Sequence, residues 1–523
     1  MKLEKKSLRE AEEWKKAGYE LPEYDLDIIQ ANTKKKPTWI HFGAGNIFRA
    51  FMAVAQQKLL NEKISDTGII VCEGYDSEII EKVYRKYDNL TIAVSMKQNG
   101  SMDKMVVGSV AESLLLKPET SDWLRLKEIF ENPALQMATF TITEKGYQIK
   151  NASGYLPQIK EDMQVGPEQA KSYMGCLTAL CYLRYLAGKL PLALVSMDNF
   201  SHNGDRLKMA VLTIAEVWEK NNLVEEGFSG YLQDETKISF PWSMIDKITP
   251  RPDSKIKEML ERTGLEGMDI FTTSANTYIA PFVNAEETEY LVIENNFPNG
   301  RPKLEHAGIL FADRRTVECV EQMKVCTCLN PLHTGLAIFG CLLSYTSISK
   351  EMEDPLLREL AVQIGQEGMP VVVHPGILEP KQFLHEVLYV RLPNPYIPDT
   401  PQRIATDTSQ KLSIRYGETI KAYQKTGKSL EQLRAIPLVI AGWIRYLTGV
   451  DDFGNAMELS PDPRMTELRE KISDIAEKPE MVAGSILADA SVFGQDLSKT
   501  ELAEPVIGFL KEMLTGPHAV RKT

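Results

Sequence analysis

The sequence predicts an α/β protein, with a doubly wound, mostly parallel sheet in its N-terminal part and a mostly helical C-terminal part. Three observations predict it. Short apolar segments alternate with segments of helical period up to about residue 290. A glycine turn, HFGAGNIFRAF (41–51), joins the first such pair. Beyond residue 290 the segments are almost all helical in period.

In chain order, the first 36 residues are highly charged and read as an amphipathic helix and a polar linker ending at Lys34-Lys35-Lys36-Pro37. TWIHFG (38–43) is a short apolar strand, and NIFRAFMAVAQQKLLNE (46–62) has helical period. GIIVCEG (68–74) is a second strand, followed by helical SEIIEKVYRKY (77–87). ALQMATFTIT (134–143) and LPLALVSMDN (190–199) are later strands. Such runs are apolar on both faces, as expected of strands covered by helices on each side. DRRTVECVEQMKVCTCL (313–329), LHTGLAIFGCLLSYTS (332–347), DPLLRELAVQIGQEGM (354–369) and SLEQLRAIPLVIAGWIRYLTG (429–449) are mainly helical. The expected organisation is an N-terminal helical extension over 1–36, a nucleotide-binding sheet domain over 37–290 and a helical domain over 291–523.

At 523 residues the chain exceeds one ordinary core. With 43% hydrophobic and 25% charged residues it has the balance of a globular protein. No apolar run reads as a membrane span, and the charged N-terminus lacks the apolar stretch of a signal peptide, so a cytoplasmic location is expected. Seven cysteines in so long a chain make no disulfide framework and fit reduced thiols. A net charge of −12 without a basic tract speaks against nucleic acid as a partner. The expected partner is a small molecule, with no membrane partner.

The glycine turn points to a dinucleotide. Gly43 allows a tight turn after the strand, and Gly45 lets backbone approach a pyrophosphate at the helix N-terminus, with Ala44, Asn46 and Ile47 around it. Phe48 stands where a third glycine normally permits close helix–strand packing. Glu73 and Asp76 end the second strand. A carboxylate there accepts bonds from ribose hydroxyls and repels a 2′-phosphate, which favours NAD over NADP. Glu73 and Asp76 are both open for this role, and each also reads as a solvated loop acid. Asn330-Pro331 reads as a break with a new helix from Pro331, since asparagine caps well and proline suits the first helical position. Cys319, Cys326, Cys328 and His333 make a poor zinc set, and no metal is expected. His41, His202 and Asn203 are expected to shape turns.

Six stretches in order across roughly 38–415 carry a resemblance: GAGNIFRAF, TITEKGY (141–147), SMDNFSHNGD (196–205), FPWSMIDKITPRP (240–252), KVCTCLNPLH (324–333) and RLPNPYIPDT (391–400). They resemble the polyol-specific long-chain dehydrogenases, the mannitol dehydrogenase family. The resemblance implies a Rossmann-type NAD-binding domain, a helical substrate domain and zinc-independent hydride transfer at a secondary alcohol. It implies Lys324 as the catalytic base and Asn199, Asn330, His333 and Arg391 as substrate-site residues, with Glu144 on the substrate side. A lysine base needs a lowered pKa, and amides suit an alkoxide-like oxygen because they do not titrate. A helix-end field would keep His333 neutral.

Lys411 and Arg415 follow Arg391. They read as surface charges, or as carboxylate partners if they face the pocket. In the second case a uronate is a more natural substrate than a neutral hexitol, and together with the overall family likeness this favours D-fructuronate going to D-mannonate, ahead of tagaturonate or the fructose of a mannitol 2-dehydrogenase. One feature departs from the family pattern: five residues, not four, separate Lys324 from Asn330. That departure keeps a non-catalytic NAD-binding sensor as the alternative from another class.

Overall fold

Six parallel strands form the sheet on which the N-terminal unit is built: β1 (Trp39–Phe42), β2 (Ile69–Glu73), β3 (Val110–Leu115), β4 (Met137–Phe140), β5 (Leu192–Ser196) and β6 (Ile238–Ser239). They come from a computed structural model that describes residues 1–523. The strands lie in the order β3-β2-β1-β4-β5-β6, that of dinucleotide-binding sheets, with the reversal of direction between β1 and β4. Register is set by period two. Ile40, Phe42, Ile70, Cys72, Ala138, Phe140, Leu192 and Leu194 enter one core, and Trp39, Ile69, Val71, Met137, Ala193 and Val195 enter the other. The first core packs against α2 (Ser121–Glu131), α3 (Tyr173–Leu186) and α4 (Asn203–Lys220), and the second against the helix that continues as α1 (Ala53–Asn61).

The chain divides into two units, Met1–Val317 and Glu318–Thr523. The boundary falls later than residue 290, because Tyr290–Glu294 pairs antiparallel with Ser243–Asp246 and parallel with Leu310–Ala312. Backbone pairing thus ties the stretch up to 312 into the first unit. The first 36 residues also differ from the expected helix and linker. Tyr19–Glu20 pairs parallel with Met102–Val107, Trp14 is fully buried, and Lys34 and Lys35 end a helix over Leu26–Lys35. Asp25 caps that helix by accepting the Asp27 and Ile28 N–H groups.

The second unit is helical, with α5 (Arg314–Met323) running into it across the boundary, then α6 (Asn330–Leu342), α7 (Pro355–Gly368), α8 (Ala435–Tyr446) and α9 (Ala503–Met513). Nearly every side chain of α6 and α8 is buried, which makes them its central helices. The helical run Arg314–Leu342 is long and apolar enough to cross a membrane, contrary to the expectation that no segment is. Its most apolar window is 78% buried within the protein, the situation of a core helix.

Candidate active site

The two glycines of the opening turn do different work. Gly43 has φ +109°, and a Cβ there would stand 2.2 Å from the Thr141 carbonyl oxygen. It is therefore required by the close approach of β1 and β4 where the sheet reverses. A Cβ on Gly45 would meet nothing within 4 Å, so the open space for a phosphate lies over Gly45.

Phe48 replaces the third glycine by a change in helix type. Residues Phe48–Met52 form a π turn, and the Phe48 ring stacks on His41 at 4.3 Å and 13°. His41 is held by the Thr139 hydroxyl at 2.6 Å and the Thr141 hydroxyl at 2.8 Å, and burial pushes it down to about 3, so it is neutral. Asn46 donates to the Pro250 carbonyl at 3.1 Å and accepts from Arg49 at 2.9 Å, which fixes the start of the helix.

Glu73 and Asp76 separate clearly. Glu73 Oε1 accepts the N–H groups of Gly74, Tyr75 and Asp76, and Oε2 accepts the Ala44 N–H at 2.8 Å. With one donor on Oε2, that oxygen keeps an acceptor site beside the glycine turn, where a ribose hydroxyl would bind. Asp76 instead caps the next helix at the Glu78 N–H and accepts the hydroxyls of Thr273 and Thr277, so it is a structural acid. The Ala44 N–H is committed to Glu73 and is not spare for a phosphate.

Glu144 and Asn199 lie past the carboxyl ends of β4 and β5, where open α/β sheets place ligands. Glu144 is exposed and pairs with Arg206 at 3.3 Å. His202 stacks on Trp242 at 4.2 Å, and the Asn203 amide donates to the Asp198 and Ser243 carbonyls, so both shape the turn after β5.

In the C-terminal unit, all three π turns carry candidate residues: Lys324–Cys328, Val387–Arg391 and Ser413–Gly417, holding Lys324, Arg391 and Arg415. A π turn takes up one residue more than an α turn, and such turns recur at functional sites. Here it accounts for the extra residue after Lys324. The Leu329 N–H reaches back five residues to the Lys324 carbonyl at 3.0 Å. The break falls at Leu329 (φ −130°, ψ −62°), so α6 begins at Asn330 and not at Pro331. Asn330 is not a side-chain cap; its carbonyl accepts the Thr334 hydroxyl at 3.0 Å, and its amide stays partly open. Lys324 is 3% and Arg391 4% exposed, so neither is a surface cation.

His333 is pushed down to about 4, chiefly by burial, with Arg391, Arg415 and Arg403 lowering it further against Asp399. Its neutrality thus comes from burial and neighbouring cations, not from a helix-end field. Arg415 is half-buried, donates to the Thr334 hydroxyl and has no carboxylate partner. Lys411 is also half-buried, donates to the Thr406 and Ile404 carbonyls, and is pushed down to about 8 by burial and then by Arg415. The surface-charge reading of Lys411 and Arg415 therefore gives way to two half-buried cations, of which Arg415 acts on His333 and on Lys411.

Asp198 and Tyr147 lie within the motifs, and sequence reasoning assigns neither a role. Asp198 accepts from both the β4 loop and the Tyr147 hydroxyl, and Tyr147 also bonds the Ser196 hydroxyl at 2.8 Å. Their signal, a buried-looking acid before Asn199 and a tyrosine ending TITEKGY, is too common to single them out.

Residues 37–306 match the model of the mannitol dehydrogenase Rossmann domain, and residues 316–514 match that of the mannitol dehydrogenase C-terminal domain. The chain is 53% identical to a D-mannonate oxidoreductase of Thermotoga maritima, covering 100% of this chain and 98% of that protein. It is 29% identical to a D-mannonate oxidoreductase of Escherichia coli, covering 90% and 93% respectively. Among solved structures, the ternary complex of Pseudomonas fluorescens mannitol 2-dehydrogenase with NAD and D-mannitol superposes with TM-score 0.71 at 26% identity, covering 100% and 98%. A D-sorbitol dehydrogenase in substrate-free form superposes with TM-score 0.79 at 24% identity, covering 96% and 97%.

Proposed function

The chain belongs to the mannitol dehydrogenase family, and from that premise we propose that it is an NAD-dependent oxidoreductase interconverting D-fructuronate and D-mannonate. The observation that carries the uronate reading is the set of cations acting on His333 (Arg391, Arg415 and Arg403, against Asp399), in which Arg415 has no carboxylate of its own and in turn lowers the Lys411 pKa. A guanidinium held in that state favours a carboxylate on its ligand, which a neutral hexitol lacks. The 53% identity to a D-mannonate oxidoreductase supports the same substrate.

NAD, when bound, supplies the acceptor or donor of hydride. Gly45 leaves room for its pyrophosphate and Glu73 Oε2 accepts from its ribose, a site that a 2′-phosphate would crowd and repel. Lys324 takes the hydroxyl proton during oxidation and returns it during reduction, with no zinc in the reaction. The amides of Asn199 and Asn330 donate to the reacting oxygen, where charge develops. Neutral His333 adds a hydrogen bond without competing for the proton. Arg391, with Arg415 and Lys411, holds the carboxylate of the sugar acid. Glu144 contacts substrate hydroxyls. The proposed location is the cytoplasm, and the cofactor is proposed to bind on the sheet of the first unit, Met1–Val317.

The test follows NADH consumption with D-fructuronate, D-tagaturonate and D-fructose in parallel, together with Arg415→Leu and Lys324→Ala. Fructuronate is expected to be preferred, and Arg415→Leu is expected to raise its KM at least tenfold, about 1.4 kcal/mol, while leaving the KM for fructose little changed. Lys324→Ala is expected to abolish turnover and keep NADH binding. Preference for fructose by the unaltered protein would overturn the uronate reading. NADH binding without turnover on any of the three would favour a sensor.

A further inference from the structure

One carboxylate beyond the sheet joins the two loops that carry Glu144 and Asn199. Asp198 is two residues past the end of β5. Its Oδ2 accepts the Ile142 N–H at 2.9 Å and the Tyr147 hydroxyl at 2.6 Å, and its Oδ1 accepts the Thr143 N–H at 3.0 Å. The Asp198 carbonyl in turn accepts the Asn203 amide at 3.0 Å, so the residue is held by main chain and side chain together. Bonds of this kind to an ionised acceptor are shorter and stronger than neutral ones.

These bonds hold an unfavourable conformation. Thr143 has φ +63°, in the left-handed region. A β-branched residue is rarely found there, and no glycine or asparagine at that position eases it. Thr143 opens the one-turn helix Thr143–Gly146 on which Glu144 sits, so its φ sets the direction in which that turn leaves β4. Strain of this type persists only where surrounding bonds over-determine it, and it collects at functional sites. The Asp198 carboxylate receives the Thr143 N–H itself, and the next residue in the chain is Asn199.

We propose that Asp198 is a positioning residue for the reaction: with Tyr147 it holds Thr143 in the left-handed conformation and so fixes Glu144 and Asn199 toward the substrate. The inference rests on the reading of Glu144 and Asn199 as substrate-site residues. Asp198 itself touches neither substrate nor cofactor in this scheme. The hydrogen bonds of Gly43, Ala44 and Glu73 all go to groups other than Asp198, so cofactor binding is expected to be separable from its effect.

The test compares Asp198→Asn, Tyr147→Phe and the double variant Asp198→Asn/Thr143→Gly in the full-length protein. Asp198→Asn is expected to lower kcat for fructuronate at least tenfold while the Kd for NADH stays within twofold. Tyr147→Phe, which removes one of the three donors and keeps the ring, is expected to lower kcat by a smaller factor. Glycine at 143 adopts positive φ without help, so the double variant is expected to recover at least threefold of the kcat lost by Asp198→Asn. A merely structural role predicts no recovery, because glycine adds chain entropy to the unfolded state. Full activity of Asp198→Asn, or a double variant no better than the single one, would overturn the proposal. Amide exchange at Glu144 and Lys145, whose N–H groups do not bond Asp198, gives a readout free of turnover. Faster exchange there in Asp198→Asn is expected, and unchanged exchange counts against the clamp even if the substrate assignment itself fails.

Discussion

Gly43 and Gly45 are two residues apart in one motif, yet replacing each by alanine should produce opposite failures. At Gly43 the new methyl would stand 2.2 Å from the Thr141 carbonyl oxygen and 2.9 Å from its carbonyl carbon, both main-chain atoms. Thr141 cannot retreat freely, because its N–H donates to Phe42 at 2.9 Å while the Gly43 N–H donates to Cys72 at 2.8 Å. The substitution must break or stretch those two bonds, at about 1 kcal/mol net each. It also places alanine at positive φ, at about 1–2 kcal/mol. The sum is a loss of about 3–4 kcal/mol, a large share of the 5–15 kcal/mol typical of a domain.

At Gly45 nothing lies within 4 Å of the added methyl. Stability should change by no more than about 1 kcal/mol, the scale of alanine at a helix-capping position. The methyl would instead fill the space through which a pyrophosphate approaches the backbone, weakening NADH at least tenfold, about 1.4 kcal/mol. Urea denaturation of each variant and fluorescence titration with NADH measure the two effects separately. Gly43→Ala with unaltered stability, or Gly45→Ala binding NADH as tightly as the parent, would refute this division of labour.

Two further predictions concern pH. Glu351 is fully buried, neither of its carboxyl oxygens has a hydrogen-bond partner, and burial followed by Asp399 pushes it up to about 9. A folded pKa above the unfolded one means its contribution is fully favourable below about pH 4.5 and is lost progressively as pH rises toward 9, at about 1.4 kcal/mol per pH unit. Glu351→Leu should therefore flatten the fall in stability between pH 5 and 8, and denaturation midpoints across that range decide it; an unchanged slope would refute the assignment. Lys411, pushed down to about 8, carries its charge below that pH and loses it above. If it helps hold the sugar-acid carboxylate, KM for fructuronate should rise as pH passes 8 while KM for fructose does not, and Lys411→Met should remove the difference.

Local order was legible in the residues themselves. The strands WIHF, IIVCE, MATF and LALVS follow from apolar runs, and the turn after WIHF follows from its glycines, because backbone freedom and burial on two faces are properties of a few neighbouring residues. Six ordered motifs were enough to indicate the family. The choice between Glu73 and Asp76 was beyond the sequence, since both acids follow one strand. The fold gives them different partners, the Ala44 N–H for one and the threonines 273 and 277 for the other. The π turns at Lys324, Arg391 and Arg415 were equally hidden, because α and π turns differ by one residue whose cost is set by tertiary packing and not by propensity. The extra residue before Asn330 was visible as a count, and only the folded helix showed how it is taken up. Sequence named the candidate groups for the chemistry. Tertiary structure decided the burial of Lys324 and Arg391, the neutrality of His333 and the left-handed turn at Thr143, because burial and hydrogen bonding join residues such as Thr143 and Asp198 across intervals that no local pattern encodes.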